Sequence, residues 1–154
     1  MKGQYHSPLG LITYEVIDGF LVSMFFDDNK IKSDTHPDIT HIHLVLNQYF
    51  HHQTEHFDID MKYVRGTPFE KHVWDRLREI PYGKTKSYAE IAKEVGSPKA
   101  CRAVGQACKK NPIGIVVPCH RVIGKDGSMT GYSGKEFVDL KKKLLEHEMG
   151  ENHV

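Results

Sequence analysis

Ser87-Tyr88-Ala89-Glu90-Ile91-Ala92-Lys93-Glu94-Val95-Gly96-Ser97-Pro98-Lys99-Ala100-Cys101-Arg102 is the stretch whose reading decides the fold. Ser87 with Glu90 three residues on is a capping box, in which each side chain satisfies a backbone N–H of the first turn, so a helix starts at Tyr88. Ile91 and Val95 give that helix an apolar face, and Gly96 supplies the residue that stops it. Ser97-Pro98 then opens a second helix over about residues 99–109. Two helices joined by Gly-Ser-Pro, the second carrying Lys99, Arg102, Lys109 and Lys110, have the outline of a helix-turn-helix. An ordinary helical hairpin shares the pattern, so the neighbouring sequence has to separate the two.

Upstream, Thr67-Pro68-Phe69-Glu70 is another capping box with proline at the first helical position. Phe69, Val73, Leu77 and Ile80 follow on one face until Pro81-Tyr82-Gly83 ends the helix. Downstream, Gly124-Lys125-Asp126-Gly127-Ser128 reads as a loop. Ser133-Gly134-Lys135-Glu136 is a third box, opening a terminal helix with Phe137, Leu140, Leu144 and Leu145 on its apolar side and Glu148 near its end.

Before residue 62 the signals are those of strands. Residues 9–16 and 20–26 are rich in β-branched and aromatic side chains, and Asp18-Gly19 between them is a two-residue hairpin turn. Ser7-Pro8-Leu9-Gly10 turns back to a short strand around Gln4. Ile39, Ile42, Leu46, Tyr49 and Phe50 recur at helical spacing, whereas Phe57, Ile59 and Met61 alternate with Asp58 and Asp60 as a half-buried or edge strand would. The expected class is α+β. Residues 1–65 form a small antiparallel sheet with one helix, and residues 66–154 a mainly helical lobe containing the helix-turn-helix.

A chain of 154 residues, 39% hydrophobic and 27% charged, is long enough for one core or two small lobes. Met1-Lys2-Gly3-Gln4-Tyr5-His6-Ser7 leads into no apolar signal segment, and no apolar run reaches the roughly 20 residues of a membrane span. A soluble cytoplasmic protein is expected, with no membrane partner. Cys101, Cys108 and Cys119 are odd in number and lack C-x-x-C spacing, so free thiols are expected. His36, His41, His43, His51, His52 and His56 crowd the first lobe, and His52 with His56 has the spacing of a helical pair. Without acidic or cysteine partners at ligand spacing they predict solvated histidines and no metal.

The net charge of +1 conceals a division. Residues 65–125 carry 13 Lys/Arg against 5 Asp/Glu, while residues 1–64 carry 4 against 9. A basic block of that size is the electrostatic footprint of a polyanion partner, nucleic acid first.

Within the basic block lies Pro118-Cys119-His120-Arg121-Val122, reached through the apolar Ile113, Ile115, Val116 and Val117. The thiolate is the reactive form of cysteine, and adjacent positive charge favours it. A free cysteine is also among the most buried residue types, so the pentapeptide alone is compatible with a sulfur that only fills space.

Taken in order, several motifs resemble the O6-alkylguanine-DNA alkyltransferase family, also called methylated-DNA-protein-cysteine methyltransferases. They are Thr67-Pro68-Phe69, Pro81-Tyr82-Gly83, Ser87-Tyr88, Pro98-Lys99-Ala100-Cys101-Arg102-Ala103-Val104-Gly105, Asn111-Pro112, Pro118-Cys119-His120-Arg121-Val122 and Gly131-Tyr132-Ser133-Gly134. The likeness covers about residues 66–150. It implies a ribonuclease H-like first lobe, a winged-helix-like second lobe, and transfer of an alkyl group from O6 of guanine to Cys119, once and irreversibly. No cofactor is implied, since the protein is the final acceptor.

The resemblance also implies roles. Cys119 is deprotonated through a water by His120, backed by Glu148; the ending Leu144-Leu145-Glu146-His147-Glu148 favours Glu148 over Glu146. Asn111 braces the turn that holds the cysteine. Tyr88 and a backbone N–H of the Tyr132-Ser133 loop donate to the departing base, carbonyls around Cys119 and Val122 read its exocyclic amine, and Tyr132 walls the pocket. Arg102 fills the space of the flipped nucleotide, with Ser87, Lys99 and Ala103 on the DNA. The partner is double-stranded DNA bearing O6-alkylguanine, with O4-alkylthymine a further candidate lesion, bound in the minor groove by a monomer. Cys101 and Cys108 read as small packing residues. Lys135, where relatives often have a second glycine, is a departure that bears on loop mobility and on the alkyl groups admitted.

Three other classes fit less well. A non-catalytic recognition protein of the same lesion would lack Cys119. A Cys-His hydrolase needs a separate histidine and an oxyanion hole. A major-groove regulator would carry Asn, Gln and Arg where this helix shows mainly lysine.

Overall fold

A computed structural model describes residues 1–124 and 134–149, with residues 134–139 described by their backbone alone. The elements are β1 (Lys2–Ser7), β2 (Gly10–Ile17), β3 (Phe20–Phe26), α1 (Pro37–Phe50), α2 (Pro68–Leu77), β4 (Lys86–Ser87), α3 (Tyr88–Glu94), α4 (Cys101–Lys109), β5 (Val122–Ile123) and α5 (Gly134–Met149). A 3-10 turn, Cys119–Arg121, precedes β5. The class is α+β. Contacts divide the chain into Met1–Val64 with Pro112–Gly114, and Arg65–Asn111 with Ile115–Val154.

In the first unit the sheet is antiparallel in the order β1-β2-β3. Asp18 (φ 52°) and Gly19 (φ 83°) are both left-handed, the backbone of a turn whose twist matches the flanking strands. Tyr14 lies opposite Gly3, where an added Cβ would fall 2.5 Å from the phenol ring, so glycine is required for that ring to pack. Its hydroxyl donates to the Ile39 carbonyl at 3.1 Å. From α1, Ile39, Ile42, Val45, Leu46, Tyr49 and Phe50 complete the core.

Two expectations for this unit need correction. Residues 57–61 form no strand. Among the described residues their pairing is a single parallel bridge, with Leu21 N–H donating to Asp60 O (2.9 Å) and Lys62 N–H to Leu21 O (3.1 Å). Phe57, Ile59 and Met61 are half-buried and the two aspartates exposed. Alternation therefore set which side chains turn inward, but a ladder also needs a partner backbone in register. His52 and His56 lie beyond the end of α1 and share no helix. Among the described residues no three His, Cys, Asp or Glu side chains gather as a metal would require.

The second unit is built on α2, α3 and α4, which pack on one another. Both capping boxes are closed in both directions, at Thr67/Glu70 and Ser87/Glu90. Val73, Trp74, Leu77, Ile91, Ala92, Val104, Ala107 and Cys108 form the core, and the Trp74 indole donates to Ala107 O at 2.8 Å. Helix α2 stops at Leu77, earlier than predicted. Glu79 and Ile80 then donate to carbonyls three residues back, tightening the chain while still burying Ile80, because the residue before Pro81 is disfavoured in the α region. Helix α4 starts at Cys101 rather than at residue 99, with Ala100 as an N-cap that offers no side-chain bond.

Cys108 is buried, but Cys101 is exposed at the start of α4, so only one of the two is a packing residue. Among the described residues no helix is long and apolar enough to cross a membrane.

Candidate functional site

Cys119 sits at the end of a braced and strained turn. The Asn111 side chain donates to Val117 O at 2.8 Å, and the same carbonyl accepts the Cys119 backbone N–H at 2.8 Å. Two residues before Val117, the buried Ile115 has φ 72°, a left-handed conformation that costs a β-branched residue about 1–3 kcal/mol. Such strain persists only where the surroundings over-determine it. The following residues form a 3-10 turn, Arg121 N–H donating to Pro118 O at 2.9 Å, so Cys119 and His120 are not on an extended chain. With about three residues per turn, their side chains diverge by about 120°.

Helix α5 brings a carboxylate to this turn. Glu148 is 2% exposed, and His120 Nε2 lies 2.7 Å from its Oε2. Arg121 donates from Nε to Oε1 (2.8 Å) and from Nη2 to Oε2 (2.9 Å), while its Nη1 reaches Ile80 O at 2.7 Å. Gly83 N–H adds a further bond to Oε1 at 3.2 Å, and the Arg121 guanidinium lies 5.7 Å from the Tyr82 ring centre. The Pro81-Tyr82-Gly83 motif thus does more than end a helix. Glu146 is exposed.

The charges follow from these bonds. Burial pushes the Glu148 carboxyl up, but the hydrogen bonds and charges of His120 and Arg121 outweigh it and hold the group ionised, well below the ordinary carboxylate range. Burial pushes His120 down; Glu148 pulls it back, the Arg121 and Lys141 cations push it further down, and the net direction is toward neutral imidazole. An ionised carboxylate only accepts, so Nε2 carries the proton and Nδ1 presents a lone pair. Nδ1 is buried and has no partner among the described residues. Arg121 is therefore committed to Glu148 and is not the simple neighbouring charge on the sulfur that the pentapeptide implied.

A residue absent from the sequence-based list completes the site. Lys141 is 0% exposed, and its Nζ donates to the Tyr88 hydroxyl at 2.9 Å. Burial pushes its ammonium below the usual range, while Cys119 and Cys108 pull it back up. The Cys108 thiol is itself pushed far up by burial and by the Cys119 sulfur. Its neighbours Lys142 and Lys143 are exposed. The signal was position: Lys141, Leu144, Leu145 and Glu148 share the buried stripe of α5, and Lys141 stands two turns before Glu148.

Short parallel pairing between β4 and β5, Lys86 with Val122 and Ser87 with Ile123, joins the start of α3 to the residues after the cysteine. That brings Tyr88 to the same site. Lys99, Arg102 and Ala103 are exposed with Gln106 and Lys110 on the outer side of the α4 region, opposite buried Val104, Ala107 and Cys108. Ser87 is half-buried and its hydroxyl is occupied as the N-cap of α3. Tyr132 and Ser133, with the third capping box, lie outside the described residues.

The family described as 6-O-methylguanine DNA methyltransferase, DNA binding domain, matches residues 68–150. A methylated-DNA--protein-cysteine methyltransferase of Methanosarcina acetivorans is 52% identical over 103 residues, 67% of this chain and 64% of that protein. The matched stretch thus spans just under two thirds of that relative's length. A probable methylated-DNA--protein-cysteine methyltransferase of Acanthamoeba polyphaga mimivirus is 43% identical over 122 residues, 79% of this chain and 74% of that one. The crystal structure of Mycobacterium tuberculosis OGT in complex with DNA superposes with a TM-score of 0.85 at 39% identity, covering 97% of this chain and 92% of that chain. Carrying this profile over more than half its length, with the cysteine turn inside it, the chain belongs to the 6-O-methylguanine DNA methyltransferase family.

Proposed function

We propose that this chain repairs DNA by moving the alkyl group of O6-alkylguanine onto Cys119, once per molecule. The observation that carries the reading is the buried His120–Glu148 pair at 2.7 Å, beside Cys119, with Nδ1 of His120 presenting a lone pair. A water between Nδ1 and the sulfur would take the thiol proton to His120, and Glu148 would stabilise the imidazolium while it lasts. The thiolate then attacks the alkyl carbon. The S–C bond forms as the C–O6 bond breaks, the electron pair leaves with the guanine, and the base takes up a proton. Sulfur suits displacement at saturated carbon, being polarizable and nucleophilic, and the thioether has no hydrolysable bond, so turnover ends there. No cofactor enters the scheme.

In this reading Asn111 holds the turn and Tyr88 donates to the departing base, with carbonyls of Cys119 and Val122 reading the exocyclic amine. Tyr132 and the Ser133 backbone close the pocket. The base reaches it by leaving the duplex. Arg102 would occupy the vacated position, with α4 in the minor groove; exposed Ala103 and half-buried Ala100 and Gly105 permit a close approach, and Ser87 and Lys99 add contacts to the strand. The wider scheme is a cytoplasmic monomer with a ribonuclease H-like first lobe and a winged-helix-like second lobe.

Mixing the protein with O6-methylguanine duplex and weighing it is expected to add one methyl group to the Cys119 peptide and to stop at one equivalent. Continued turnover beyond that, or label elsewhere, rejects the reading. For Arg102→Ala, transfer from duplex DNA should fall at least about tenfold while transfer from a free O6-alkylguanine base changes little, because the free base has no stack to leave. Equal losses on both substrates would remove Arg102 from the flipping step.

A further inference from the structure

Two of the groups that the alkyl-transfer reading gives the base, the Tyr88 hydroxyl and the Val122 carbonyl, hang on the β4–β5 pairing, since Val122 is in β5 and Tyr88 follows β4 directly. That pairing is two residues long, well short of the five or six of an ordinary strand, and cannot fix its own position. What holds β4 is the helix that follows it. Glu90 and Glu94 stand one turn apart on α3, so their side chains share a face. Glu90 Oε1 accepts the Ser87 N–H at 3.1 Å, and Glu94 Oε2 accepts from Lys86 Nζ. Each residue of β4 is thereby tied to its own glutamate. The other oxygen of Glu94 accepts from Nε and Nη2 of Arg76 on α2, both at 3.1 Å, and Arg76 Nη1 continues to Glu79 at 2.6 Å. Two cations and two carboxylates thus form a neutral chain from α2 to β4.

We propose that Glu94 is a positioning residue for alkyl transfer, fixing β4 against β5 through Lys86 and bracing that grip on α2 through Arg76. This rests on the alkyl-transfer reading above. An anion at the last position of a helix opposes the helix dipole, so α3 gains nothing from Glu94 by itself. The carboxylate is held there by its partners. Burial pushes it up, but the bonds and charges of Lys86 and Arg76 outweigh burial and keep it ionised, below the ordinary carboxylate range. Arg76, Lys86 and Glu94 are all half-buried, which limits the freedom of each to find another partner. Glu94 acts on the base only through β4 and β5. Its loss should therefore weaken the hold on the base and leave the reactivity of the sulfur alone.

Transfer to Cys119 from a free O6-alkylguanine base is followed by peptide mass against base concentration, in the wild-type chain and in Lys86→Met, which keeps the side chain's length and loses its bond to Glu94. Partly exposed ion pairs contribute little to stability, so the variant should fold. Its half-saturating base concentration is expected to rise about fivefold while the rate at saturation changes by less than about twofold, the signature of lost uniform binding. Lys86→Arg, which can bond Glu94 again, should recover most of that loss. Glu94→Gln, with one acceptor oxygen where the carboxylate has two, should lose at least as much as Lys86→Met. Iodoacetamide, which needs no base pocket, should alkylate Cys119 at the wild-type rate throughout. An unmoved half-saturating concentration overturns the proposal, and so does a parallel loss of iodoacetamide reactivity. Hydrogen exchange tests the grip without substrate: the peptide spanning Val122 and Ile123 should exchange faster in Lys86→Met while α4 is unchanged, and equal exchange likewise overturns the proposal. A wild-type chain that transfers nothing rejects the alkyl-transfer reading and this role with it; a wild-type chain that transfers, matched by its variants, rejects this role alone.

Discussion

Cys119→Ala is expected to fold, to bind O6-methylguanine duplex as tightly as the parent within about threefold, and to transfer nothing. One sulfur lost from a site 3% exposed leaves a small cavity, costing about 1–2 kcal/mol, less than the stability of an ordinary domain. In the proposed complex, binding draws on phosphate contacts that the substitution does not touch. Neither of the other thiols can take over the chemistry. Cys108 is buried with its thiol pushed far up, so it stays protonated, and Cys101 is exposed at the start of α4, whereas the His120–Glu148 pair is buried. Cys119→Ser tests the nucleophile itself. A hydroxyl in the same place is far harder to ionise, so this variant should also show no transfer by intact mass while retaining the duplex in a gel. A methyl group found on Cys101 or Cys108 of the alanine variant would show that the His120–Glu148 pair does not choose the acceptor.

What the sequence made legible was local chemistry. A capping box is a contract between residues three apart, and both described boxes, at Thr67 and Ser87, close with the bonds their spacing implies. Asp18-Gly19 is the same kind of signal, since a turn type demands particular φ values from two adjacent residues. What stayed hidden depends on residues far apart in the chain. The β4–β5 pairing is two residues long, too short for any period, yet it carries Tyr88 to the cysteine turn. Arg121 spends its guanidinium on a carboxylate 27 positions away, and Lys141 reaches a tyrosine 53 positions back. A run of three lysines reads as solvated because the average lysine is; burial of the first follows from the helix face it shares with Glu148, not from its neighbours. Residues 57–61 failed in the opposite direction, their alternation being correct and their partner missing.

Glu148→Ala should show the second large effect, on stability before activity. The carboxylate is the shared partner of Arg121 and His120, both buried, and removing it leaves a guanidinium charge and an imidazole N–H without their acceptor. Breaking a buried ion pair from one side typically costs 3–5 kcal/mol, so chemical denaturation at pH 7 should show a loss of about that size. The pH dependence fixes the cause. Glu148 is held below its ordinary range in the folded chain, so its contribution is complete above about pH 4.5 and is lost as pH falls toward the depressed value. His120 is also held below its ordinary range, so its neutral burial costs stability progressively as pH falls below about 6.5. Wild-type stability should therefore decline in two stages on acidification, the first from His120 and the second from Glu148, and the alanine variant should lack the second. Glu148→Gln separates charge from shape. It keeps an acceptor for His120 but cannot hold the imidazolium, so transfer should slow by about 10²-fold, the lower end of what a general base contributes. A Glu148→Ala variant within about 1 kcal/mol of wild type, with both acid stages intact, would mean that Arg121 finds its compensation elsewhere.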